Sequence, residues 1–240
     1  MQENTNSRKN TARLAGFLFI IFCVPLATWA LNIVPSRIFV PNDPEATANN
    51  LLANEFIFRT AIIGHLASVT IFAVMALILY RLFNPVDRNL SRFMVAPVLV
   101  QVAVVIVLEI FNITALMILK GEALMNMGIA NEQEYSFVLL RMHRYGIGIT
   151  QLFWGLFFLP FGMLVFRSGF IPKIFGILLL ITGVGYVLDG CTFILFQKQD
   201  YMVAKQFVKY AILTGMSTML WLLIIGVRGK VIPVVKTEVQ

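Results

Sequence analysis

Three ionisable side chains sit inside long apolar runs: His65, Glu109 and Asp189. A charge at bilayer depth is costly, so such residues are candidates for function by default. Gln101 and Asn112 accompany Glu109 on its run, and Gln151 lies in the next. Carboxylates and an imidazole in such a place can carry a proton, pair with a cation or ligate a metal. Counted at 1.5 Å per helical residue, His65, Glu109, Gln151 and Asp189 each fall roughly 10–14 Å below the outer end of their helix. The expectation is one intramembrane polar cluster of His65, Glu109, Asn112, Gln151 and Asp189. Above it, a basic rim of Arg59, Arg141, His143, Arg144 and Lys209, with Lys205, stands nearer the outer surface.

Each residue also has a plainer role. Asp189 can pair with an arginine or accept a hydrogen bond from Tyr186, and His65 can be a satisfied packing histidine. The mouth cations can snorkel or bind lipid headgroups. Glu109 is the sharpest signal, because a glutamate at lipid depth must be protonated, paired or hydrated.

The elements that position these groups follow from hydropathy. The chain is 59% hydrophobic and 13% charged over 240 residues, with mean hydropathy +0.83 and a net charge of +7. A water-soluble domain of this size needs more surface charge, whereas runs of about 20 apolar residues match a bilayer. The fold class expected is an all-α polytopic membrane protein with six transmembrane helices and both termini cytoplasmic. The spans are about Leu14–Val34, Ile57–Leu82, Phe93–Leu119, Tyr145–Val165, Ile174–Phe196 and Phe207–Val227. Residues 1–13 form a cytoplasmic N-terminal tail, 14–227 a single six-helix transmembrane domain and 228–240 a cytoplasmic C-terminal tail.

Arg8, Lys9 and Arg13 precede Leu14 like the start of a signal peptide, but no small-x-small cleavage site follows the run, so it reads as a retained span. Orientation rests on the positive-inside rule: 11 of the 19 lysines and arginines fall on the N-terminus, the second and fourth loops and the tail. The basic residues lie in short loops rather than on one polar face, which argues against nucleic acid. Cys23 and Cys191 lie singly in apolar runs and indicate no disulfide framework.

Local signals refine the picture. Asn42-Asp43-Pro44 reads as a helix start ahead of a surface helix through Ala46–Ala53. Asn131-Glu132-Gln133-Glu134 fits a capping box, from which a helix can run on into span four. Pro25 and Pro160 are expected to bend their spans. Gly148, Gly155, Gly162, Gly169, Gly176, Gly183 and Gly190 recur every seventh residue. Folding back about Gly169 sets Gly162 level with Gly176, Gly155 with Gly183 and Gly148 with Gly190. Facing glycines let two helix backbones approach closely in lipid.

Several stretches together carry a likeness to a known family. They are Thr11-Ala12-Arg13-Leu14-Ala15-Gly16, Ala46-Thr47-Ala48-Asn49-Asn50-Leu51-Leu52-Ala53, Phe58-Arg59 and Asn84-Pro85-Val86-Asp87-Arg88-Asn89-Leu90. His143-Arg144-Tyr145-Gly146, Phe153-Trp154-Gly155, Arg167-Ser168-Gly169-Phe170-Ile171-Pro172 and Gly183-Val184-Gly185-Tyr186 complete the set. The chain thus resembles, over about Ala12 to Val227, the bacterial multi-pass membrane family catalogued as domain of unknown function 4386. The resemblance implies a bacterial cytoplasmic (inner) membrane protein and brings neither an activity nor site residues.

Three functions remain open on the residues. The first is a non-enzymatic binding or structural protein whose outer polar cavity takes an anionic amphiphile or lipid headgroup. The second is a proton-coupled or small-solute transporter using Glu109 and Asp189. The third is an intramembrane hydrolase or metalloenzyme using His65, His143, Glu109 and Asp189, although HExxH and GxSxG are both absent. No spaced motif names a cofactor or a metal, and neither is expected. The expected partners are the bilayer and a lipid or amphiphile, with a homo-oligomer left open.

Overall fold

The computed structural model describes residues 5–122, 131–196 and 215–228, and the described residues are almost entirely helical. Five helices are long and apolar enough to cross a membrane, and Gly215–Ile224 is a shorter apolar helix. Lys205, Lys209 and the first part of the expected sixth span lie outside the described residues.

The first rod, α1, runs Asn6–Ile38. It carries two π-helical segments, Leu18–Cys23 and Trp29–Ile33, each followed within two residues by a proline, Pro25 and Pro35. A proline donates no hydrogen bond and its ring crowds the carbonyl four residues back, so a widened turn ahead of it relieves the clash. Helix α2 spans Pro44–Ala53, and the Asp43 side chain accepts from the Ala46 N–H at 2.8 Å, as expected of its Asn-Asp-Pro start. Helices α3 (Glu55–Phe83) and α4 (Arg88–Leu119) are joined by a short turn. Asp87 caps α4 through the Leu90 N–H at 3.0 Å and pairs with Arg167 at 3.0 Å.

Helix α5 is the longest, Glu132–Ser168, and begins where Asn131 accepts from the Glu134 N–H. It ends at Gly169, whose φ of 71° is a left-handed cap that glycine adopts without steric cost. Helix α6, Lys173–Phe196, then folds back along α5. A Cβ added at Gly162 would lie 2.9 Å from the Gly176 carbonyl oxygen, and one at Gly155 would lie 2.9 Å from that of Gly183. At the far end the partners change: Gly148 faces the ring of Phe193 and Gly190 faces Leu152.

Aromatic rings fill the half of the core towards the α3–α4 and α5–α6 turns. Phe72 lies 4.3 Å from Trp154 and 5.0 Å from Phe157, while Phe83 lies 5.7 Å from Phe161 and 5.4 Å from Phe170, centroid to centroid. Helix α7, Gly215–Ile224, buries Met219 and Leu222 in the same core. Arg13 of α1 donates to the Ile224 carbonyl at 2.9 Å, and the Arg228 N–H donates to the Phe170 carbonyl at 2.9 Å. Large apolar side chains such as Ile63, Ile106, Val107 and Ile110 point outward. Outward apolar faces of this extent need a lipid-like surrounding.

Candidate metal centre

Helix α4 separates its two faces sharply around Glu109. Ile106, Val107 and Ile110 are exposed, whereas Val105, Leu108, Glu109 and Asn112 are buried. Glu109 is only 2% exposed, so its carboxylate points into the bundle and away from the apolar outer face. Its Oε1 stands 2.5 Å from Nδ1 of His65 on α3 and 3.0 Å from Nε2 of His143 on α5. The other carboxylate oxygen, Oε2, accepts from the Asn112 amide at 2.8 Å. The two imidazoles meet edge to face, with centroids 6.2 Å apart.

Local structure explains why these three groups meet. His65 lies ten residues past Glu55, the start of α3; Glu109 lies ten before Leu119, the end of α4; His143 lies eleven past Glu132, the start of α5. With helix ends near one level, a rise of 1.5 Å per residue brings all three to about 15 Å below them. Close approach of α4 and α5 is permitted by Gly146, where an added Cβ would collide with the side chain of Leu108, the neighbour of Glu109.

The expected cluster is therefore rearranged. His65, Glu109 and Asn112 come together as the sequence suggests, and His143, assigned there to the rim, is buried beside them at 8% exposure. Gln151 is half-buried on α5, eight residues past His143, and Asp189 lies on α6 with its carbonyl accepting from Thr192. Asp189 is not one of the three acidic and imidazole residues that meet there. Of the remaining rim, Arg59 pairs with Glu55 at 2.8 Å, Arg141 donates to the Tyr145 hydroxyl at 3.3 Å, and Arg144 stacks over Phe39. Gln101, also buried on α4, has a side-chain oxygen without a hydrogen-bond partner.

Electrostatics make the group more than a packing accident. Among the described residues no lysine or arginine pairs with Glu109; its contacts are two imidazoles and an amide. A buried carboxylate must be neutralised, by a proton or by a cation. His65, Glu109 and His143 each offer one ligand atom, and all three atoms lie within 4.8 Å of one another. In a tetrahedral site with bonds of 2.0–2.1 Å, neighbouring donors sit about 3.3 Å apart. A cation at the centre thus requires the two short edges to open by less than about 1 Å and the His65–His143 edge, at most 4.8 Å, to settle at about 3.3 Å. Asn112 donates to the other oxygen and so fixes the orientation of the carboxylate, as an outer hydrogen bond does for a ligand.

Residues 14–226 match the family described as domain of unknown function (DUF4386). The chain belongs to the DUF4386 family. The match takes in His65, Glu109 and His143 of this DUF4386 member, together with Asn112 and Arg144. No curated protein and no solved structure matches the chain.

Proposed function

We propose that this DUF4386 chain is a membrane protein whose His65, Glu109 and His143 bind a divalent first-row transition metal. The observation that carries the reading is the meeting of two imidazoles and one carboxylate, from three helices, with no lysine or arginine to neutralise the acid. Two histidines and a carboxylate form a donor set used for zinc and for ferrous iron. Three protein ligands leave at least one position open, and Glu109 and His143 both border a cleft between α1, α3, α4 and α5. Such a site polarises a bound carbonyl or phosphoryl oxygen or activates water. The intramembrane metalloenzyme reading accordingly moves ahead of the transporter, with Asp189 removed from its ligand set.

The same proposal places the site in a six-span protein with both termini cytoplasmic, in the inner membrane of a bacterium. Support for a sixth span comes from the apolar helix Gly215–Ile224, packed on α1 and continuing the pattern of the five longer rods. Close carbonyl-to-glycine approaches at Gly155 and Gly162 support the heptad seam as the device that joins α5 to α6.

Elemental analysis of the purified full chain, reconstituted with Zn²⁺ or anaerobic Fe²⁺, tests the metal. About one equivalent per chain is expected, lost together in His65→Ala, Glu109→Gln and His143→Ala. A wild-type chain that retains neither ion, or a His65→Ala/His143→Ala double variant that retains a full equivalent, overturns the reading.

A further inference from the structure

Two clefts meet at Arg144. One is apolar, walled by Val34, Ile38, Phe58, Ile62 and Leu140, with Glu109 and His143 among its lining. The other is more polar and includes Asn32 and Ser36. Pro35, Phe39, His143 and Arg144 line both, so the polar depression leads past Arg144 to the proposed metal ligands.

Whereas Arg141, which also lies over aromatic rings, lines neither cleft, Arg144 lines both. Its guanidinium lies over the Phe39 ring, 4.1 Å from the centroid, and Phe39 is itself stacked on Phe137 at 5.1 Å and 10°. Stacking occupies a face of the cation and leaves its N–H edges for an oxyanion. Arg59 and Arg167 have Glu55 and Asp87 as partners, but no carboxylate among the described residues lies in ion-pair range of Arg144. Arg144 is exposed, so its guanidinium, held over a ring and facing a cleft, is accessible to an anion from outside the chain.

We propose that the cleft takes a single-chain amphiphile with a carboxylate head. One head oxygen meets the Arg144 fork, the other meets the open position of the metal, and the hydrocarbon chain lies along the apolar wall. Helices close the apolar cleft on several sides, which suits one chain rather than two. A carboxylate has two oxygens for the two cationic centres. A phosphate would carry further oxygens into a cleft where Asn112 is already committed to Glu109. This inference rests on the metal reading for one of its two head contacts.

The test uses the zinc-loaded full chain in phosphatidylcholine nanodiscs with radiolabelled palmitate, and reads zinc content in the same samples. Palmitate should be retained and displaced by unlabelled palmitate but not by hexadecanol. Arg144→Gln should weaken retention about tenfold with zinc unchanged, as loss of a charge-assisted bidentate contact predicts. Ile62→Trp, which fills the apolar wall, should block retention with zinc likewise unchanged. Hexadecanol competing as well as palmitate, or Arg144→Gln binding at full strength, overturns the inference and leaves the metal reading standing. Arg144-dependent palmitate retention in a chain that takes up no zinc overturns the metal contact instead.

Discussion

Nε2 of His143 lies 3.0 Å from Oε1 of Glu109, across the interface of two helices and 34 residues of chain. That contact turns a buried acid with one imidazole into a three-donor group, because His65 already faces the same oxygen. It also joins the group to the cleft, since His143 lines the two depressions that meet at its neighbour Arg144.

Asn112 should tune the centre without being part of it. Its amide holds Glu109 Oε2 at 2.8 Å, leaving Oε1 towards the histidines. Outer-shell partners of ligating carboxylates typically cost 10–100-fold in metal affinity when removed. Asn112→Ala should therefore lower zinc affinity by about tenfold while the chain still folds. Competition with a chromogenic chelator measures this, and an unchanged affinity removes the orienting role.

The α5–α6 seam should be intolerant of added bulk. A methyl at Gly162 would press on the Gly176 carbonyl at 2.9 Å, a backbone atom that cannot rotate aside. At Gly64 the nearest atom to an added methyl is 3.7 Å away, on the Trp29 side chain. Gly162→Ala should cost about 1–3 kcal/mol and Gly64→Ala less than about 1 kcal/mol. Thermal unfolding in one detergent ranks the two, and equal midpoints would contradict the seam geometry.

At the α3–α4 turn, the cap should matter more than the ion pair. Asp87 accepts from the Leu90 N–H and also pairs with Arg167, which is half exposed. Asp87→Ala should cost about 1 kcal/mol through the lost cap, whereas Asp87→Asn should stay within about 0.5 kcal/mol of the parent. Equilibrium unfolding of the two variants separates the contributions.

Topology is open to direct labelling. In a Cys23→Ser/Cys191→Ser background, Asn49→Cys on α2 should react with a membrane-impermeant maleimide on intact cells. Ser7→Cys and Asn89→Cys should react only after permeabilisation, as the positive-inside assignment requires. All three residues are exposed. Labelling of Asn89→Cys from outside would invert the orientation.

Periodicity and composition are local properties, so the helices could be found without a structure. The Asp43 and Asn131 caps and the Gly169 turn are short-range chemistry, and each appears where the chain suggests it. Burial of Glu109 followed as well, because an acid amid apolar residues has few acceptable places to go. Counted from the start of the apolar run at Tyr145, His143 reads as a rim residue, whereas the fold buries it beside Glu109. Measured from the Asn131 cap, it stands level with His65 and Glu109. Asp189 is absent from the three-donor group although its expected depth is similar, since depth is one coordinate and the angle around the helix axis is another. That angle is set by which helices pack together, through contacts such as Gly146 against Leu108 that are distant in the chain. Hydropathy along one strand of sequence holds no information about it, so the gathering of donors into one centre belongs to the folded bundle alone.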